Sequence, residues 1–125
     1  MSIVYDTGVL VAADRSDRRL WADHRARLEL DIVPLTTAPV VAQASRSRRQ
    51  VQLRRFLRGC DVVALSKADA HEVGALTGAS RVSDVVDVHV VLVASKARAS
   101  VLTSDDEDLQ RIATVLEDPV RVVHL

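Results

Sequence analysis

Five aspartates in this chain sit where a backbone could gather them for chemistry. Asp84 and Asp87 open the run S-D-V-V-D-V-H-V-V-L-V-A, residues 83–94. Residues three apart in a first helical turn lie on one face, so both carboxylates can point at one spot. The following S-V-L-T, residues 100–103, reads as a short apolar strand that leads into Asp105 and Asp106. Near the start, the continuously apolar Ile3-Val4-Tyr5 has the character of a buried central strand, and Asp6 ends it in the same way. In open parallel sheets the ligand crevice lies beyond the carboxyl ends of the strands. Carboxylates gathered there repel one another unless a cation neutralises them, and hard oxygen donors suit Mg²⁺ or Mn²⁺. Metal-assisted hydrolysis of a phosphodiester is the reaction such a cluster serves, because the ion activates water, offsets phosphoryl charge and orients the leaving group. Each acid also has a plainer reading as a helix cap that meets backbone N–H groups and the positive end of the dipole.

The elements that must position these acids alternate along the chain. After the first strand, residues 9–13 continue as a short helix capped by Asp6 or Thr7. Residues 17–29 form an amphipathic helix with Leu20, Trp21 and Leu28 inside, and His24 on its wet face. Residues 32–35 read as a second strand, with Pro34 tolerable at its start or edge. Thr36-Thr37 then caps a helix from Ala38 to about Ser45, with Pro39 at an early position. Residues 46–58 predict a basic amphipathic helix that Gly59 closes, and residues 60–65 a third strand. A helix from Ser66 or Lys67 ends at Thr77-Gly78, with His71 on its surface, and the helix that opens at Asp84 runs to about Ala97. His89 is two residues past Asp87, points elsewhere on that helix and belongs to packing or surface. Residues 106–116 give a further helix and residues 120–125 a closing strand. Such alternation argues a parallel α/β sheet covered on both faces.

Composition narrows the function classes. A chain of 125 residues makes one domain of common size. Its 17 basic and 17 acidic residues balance, so net charge does not mark a nucleic-acid binder. The distribution is uneven, however. No acid falls between Asp31 and Asp61, whereas Arg46, Arg48, Arg49, Arg54, Arg55 and Arg58 do, which makes the middle either a solvated face or a phosphate contact. The lone Cys60 excludes an internal disulfide and a cysteine-based zinc cluster, and the thiol reads as packing. With only Tyr5, Trp21 and Phe56 as aromatics, base stacking on rings is a poor way for this chain to hold a single strand. Neither a signal-like N-terminus nor a membrane-length apolar run is visible, so a cytoplasmic protein without membrane contact is expected.

Four blocks, V-Y-D-T-G-V-L-V-A, P-V-V-A-Q-A, S-D-V-V-D-V-H-V-V-L-V-A and V-L-T-S-D-D-E-D-L, together resemble the PIN-domain ribonucleases. The likeness is to the VapC-type toxins of bacterial toxin-antitoxin pairs in particular, and it covers the whole chain. It implies a single PIN-like domain over residues 1–125, a three-layer α/β/α sandwich around a central, mainly parallel five-stranded sheet. It also implies a Mg²⁺- or Mn²⁺-dependent endoribonuclease, homodimeric and inhibited by a cognate antitoxin. Carried over residue by residue, Asp6 matches the first metal-binding acid, Asp87 the acid at the start of the later helix, and Asp105 the acid after the fourth strand. Asp84 and Asp108 are auxiliary candidates.

One position departs from the family pattern. Where these nucleases usually place a glutamate on the helix after the second strand, this chain has Gln43. Glutamine offers a carbonyl oxygen but no charge, and it cannot act as a base. Asp84, one turn from Asp87, is expected to supply the missing negative charge. The alternative is a catalytically weak or idle module that dimerises and grips an antitoxin-like partner. Other chemistries find no support, for there is no H-E-x-x-H, no phosphate-binding glycine loop and no serine nucleophile elbow. Gly8 stands where an aspartyl-nucleophile phosphatase would need its second acid, and the strand ends lack the acid and lysine of a receiver domain.

Overall fold

A computed structural model describes residues 2–125. In chain order it contains β1 (Ile3–Tyr5), α1 (Thr7–Asp14), α2 (Arg18–Glu29), β2 (Leu35–Thr37), α3 (Ala38–Ala44) and α4 (Val51–Leu57). There follow β3 (Asp61–Val63), α5 (Lys67–Ser80), α6 (Val85–Ala97), β4 (Ser100–Thr103), α7 (Glu107–Thr114) and β5 (Val122–His124). The strands form one five-stranded sheet in the order β3-β2-β1-β4-β5, and every pairing is parallel. The expected three-layer α/β architecture is therefore present.

Handedness explains where the helices lie. From β1 the chain steps outward through β2 to β3, then crosses back to β4 and steps the other way to β5. Parallel crossovers are right-handed, so opposite directions of travel put α1 to α4 on one face and α5 to α7 on the other. Packing agrees, since α1 contacts α2, α3 and α4, whereas α6 contacts α5 and α7 and lies against β1, β2 and β4. The strand order thus reverses between β1 and β4, and a crevice opens there at the carboxyl ends.

α6 is the spine of its layer. Val88 through Ala94 are buried without interruption, so this helix is apolar all round rather than on one stripe. Its six valines are modest helix formers, at a cost of at most about 0.7 kcal/mol each. Full burial of such a side chain contributes roughly 1.5–3 kcal/mol, so packing decides the conformation. His89, on the same helix, is fully buried, and neither ring nitrogen has a hydrogen-bond partner among the described residues. Burial holds its pKa below the ordinary histidine value.

Several expectations need correction. His24 is not on the surface; it is 3% exposed, with its ring against Phe56 at 4.1 Å between centroids and Nδ1 3.0 Å from the Tyr5 hydroxyl. The cause is the buried Tyr5, whose hydroxyl requires partners and takes Arg27 Nη1 as a second one, at 3.1 Å. Gly59 makes room for the ring, since a Cβ there would stand 2.8 Å from His24 Nε2. The second strand begins after Pro34 rather than before it, and the Pro34 carbonyl accepts the Asp61 N–H at 2.9 Å. The basic helix is shorter than its sequence pattern, for residues 46–50 lie outside it. Gln50 holds that stretch, with Oε1 accepting the Arg46 and Ser47 N–H groups at 2.6 and 3.1 Å in place of a helical ladder. Cys60 packs as expected, and burial pushes its thiol up to about 12.

Candidate active site

Asp6 lies at the carboxyl end of β1, where the strand order reverses toward β4. It follows β1, and the register that pairs Tyr5 with Leu102 sets it beside Thr103 at the end of β4. The backbone confirms this, with the Asp6 N–H donating to the Leu102 carbonyl at 3.2 Å. One carboxylate oxygen accepts the Val9 N–H as the cap of α1, and the other accepts the Thr103 hydroxyl. The Thr103 oxygen in turn accepts the Asp105 N–H at 3.0 Å, which ties the loop after β4 to the same point. Asp6 is only 7% exposed. Burial raises its pKa, against the lowering effect of the Thr103, Val9 and Gly8 hydrogen bonds, and the Asp105 charge raises it further.

The other acids enter from α6, α7 and the β4–α7 loop. Asp84 caps α6, with Oδ1 accepting the Val86 and Asp87 N–H groups at 2.9 and 3.3 Å. Asp87 occupies the first turn, half-buried. Its pKa is pushed up to about 6, first by burial and then by the charges of Asp84, Asp6, Asp108 and Asp105. Four carboxylates therefore act on Asp87, and Asp105 also acts on Asp6. Asp105 is exposed, and Asp108 leans toward Arg111 at 3.8 Å. Gln43 is tied to the residue after Asp6. Its Oε1 accepts the Thr7 hydroxyl at 2.7 Å, so its carbonyl is already engaged by the neighbour of Asp6.

Thr103, Thr7 and the contact between Gly8 and Ser104 are parts of the site that residue types alone did not single out. Only the strand register reveals Thr103, because it is the position beside Asp6 on the paired strand. Gly8 allows a close approach of the β4–α7 loop, since a Cβ there would fall 1.9 Å from Ser104 Oγ. That packing, rather than a missing acid, accounts for the glycine.

By donor type and mutual repulsion these carboxylates fit a hard divalent cation. Asp87 and Asp105 have no hydrogen-bond partner for their side chains among the described residues and remain free to turn. Even so, no three His, Cys, Asp or Glu side chains among the described residues already form a metal-binding group.

A five-stranded, all-parallel sheet in this order with helices on both faces is a PIN-like α/β fold. Over its whole length the chain is similar to VapBC2 from Rickettsia felis, solved bound to a DNA fragment from its promoter, with TM-score 0.76, 14% identity and 99% of that chain covered. PAE2754 from Pyrobaculum aerophilum is similar over 97% of this chain and 89% of its own, with TM-score 0.64 and 13% identity. Identities this low establish the fold alone. No protein-family model matches the sequence, and no curated protein matches it.

Proposed function

We propose that this chain is a single-domain, metal-dependent endoribonuclease that serves as the toxin of a toxin-antitoxin pair. The reading is supported by the placement of Asp6 after β1 and Asp105 after β4, joined through Thr103, and by the neighbouring acids that help raise half-buried Asp87 to about 6. Asp6, Asp87 and Asp105 would hold Mg²⁺ or Mn²⁺, with Asp84 adding charge nearby. Such an ion, when bound, supplies Lewis acidity toward the phosphodiester and activates water. The chain's own residues orient and support: Thr103 and the Val9 N–H fix the Asp6 carboxylate, and Asp84 fixes the first turn that carries Asp87. A cognate antitoxin belongs to the same proposal, supported by the fold shared with VapBC2, and a homodimer and a cytoplasmic setting belong to it on the sequence reading alone.

The second reading, an idle module that binds an antitoxin-like partner, draws on Gln43, whose engaged carbonyl brings no charge to the site. One experiment separates the two. In Mg²⁺-dependent RNA cleavage, Asp87→Asn should abolish turnover by a hundredfold or more while folding and partner binding persist. Cleavage that survives removes Asp87 from the mechanism, and cleavage that appears only in Gln43→Glu makes the natural chain the idle form.

A further inference from the structure

A crevice of five carboxylates repels the polyanion it is proposed to cleave, so some neighbouring surface must offset that repulsion. The two flanks of the crevice differ. On the α7 side the chain presents Asp106, Glu107 and Asp108, and Arg111 is turned toward Asp108. On the α1 side two depressions adjoin and share Arg15. One, of about 430 Å³, is lined by Thr7, Gly8, Val11, Arg15, Asp17 and Ser104, and so reaches the rim beside Asp6. The other, of about 310 Å³, is lined by Val11, Asp14, Arg15, Gln43, Arg46 and Gln50.

The arginines beyond this point are held on a fastened loop. Gln50 uses its whole amide: Oε1 accepts the Arg46 and Ser47 N–H groups, and Nε2 donates to Asp14 Oδ2 at 3.1 Å and to the Ala44 carbonyl at 3.0 Å. Residues 45–50 are thereby clamped to the end of α1, with Arg46, Arg48 and Arg49 exposed upon them. The two acids that line the depressions are occupied, Asp14 by Gln50 and Asp17 by the Leu20 N–H that it caps. Among the described residues, Arg15, Arg46, Arg48 and Arg49 form no ion pair.

We propose that Arg15 and Arg46, continued by Arg48 and Arg49, form a one-sided phosphate track that holds the RNA strand on a single flank of the bond to be cleaved. This rests on the nuclease reading for the choice of RNA over an acidic protein, since a polymer cleaved at the crevice must leave it along the cationic side. No aromatic side chain lines either depression, so the track reads charge and not base identity.

The test uses the full chain carrying Asp87→Asn, so that binding is read without cleavage, and a fluorescein-labelled 15-nucleotide oligouridine followed by anisotropy across a KCl series. Adding Arg15→Ala and Arg46→Ala should weaken binding about tenfold and lower the log–log salt slope by about 1.4, the share of two single-strand phosphate contacts. Arg15→Lys with Arg46→Lys should restore the slope. Arg98→Ala with Arg121→Ala removes the same charge from a cleft at the opposite end of the sheet and should leave the slope unchanged. The proposal is overturned by an unchanged slope in the first pair, by an equal loss in the control pair, or by a 15-residue polyglutamate that displaces the RNA as well as unlabelled oligouridine does. Failure of the nuclease reading shows elsewhere, as the absence of Mg²⁺-dependent cleavage by the natural chain with Asp87 and its arginines intact.

Discussion

Asp87 carries the cost of the crevice in its own protonation. Its pKa in the folded chain is about 6, against 3.8 for the free group, because burial and four neighbouring acids disfavour the charge. A group raised on folding contributes stability that is complete below pH 3.8 and is lost as pH rises through about 6. Asp87→Asn removes that loss. In EDTA at pH 7.5 the variant should therefore be more stable than the natural chain, by about 1 kcal/mol once solvent screening at a half-buried group is allowed for. The difference should vanish by pH 4, and millimolar MgCl₂ should reverse it at pH 7.5. Urea denaturation at the two pH values measures all three, and a gap independent of pH would place the charge strain elsewhere. At this same scale Asp6 is the cap that its plainer reading expected, serving α1 with one oxygen, while its other oxygen accepts the Thr103 hydroxyl. Asp84 caps its helix, as its position suggested, and acts on Asp87 at the same time.

Among the elements, those with a clean apolar period and a chemical stop were readable before any coordinates. α3 begins after the Thr37 cap, α6 after Asp84, and β1 and β4 match the apolar runs that named them. Boundaries set by tertiary contacts were not readable. α5 does not stop at Gly78 but runs to Ser80, and Arg81 ends it with φ 59°, in the left-handed region that favours glycine. An L side chain there costs on the order of 1 kcal/mol, partly offset by the smaller unfolded-state entropy that glycine would forfeit. Arg81→Gly should thus raise stability by about 0.5 kcal/mol, and a thermal melt that moves downward would show that the arginine side chain holds the turn. The loop at residues 46–50 misled for a similar reason. Its arginines fit a helical pattern, but Gln50 satisfies the backbone amides from the side.

For the whole molecule, alternation of strands and helices was enough to argue a parallel sheet with helices on both faces. What alternation could not supply was the strand order, and the site depends on it: Asp6 and Thr103 meet only because β1 pairs with β4. The burial of His24 had the same origin, since nothing local to α2 announces that Tyr5 will need its ring. No helix of the described residues is long and apolar enough to cross a membrane.

The contact between Asp6 and Thr103 closes a loop of 97 residues, and this governs when the crevice comes into being. A ribosome that has released everything up to α6 has exposed the first acid without its partners in α6 and beyond β4, so the growing chain does not yet hold the crevice proposed to act on RNA. Pairings this distant are late events in folding because loop closure is charged before the contacts return anything. In pulsed hydrogen exchange during refolding, the Asp6 amide, which donates to Leu102, should gain protection in step with β4 and after α1. Protection that arrives together with α1 would mean that this end of β1 is ordered before β4 pairs with it.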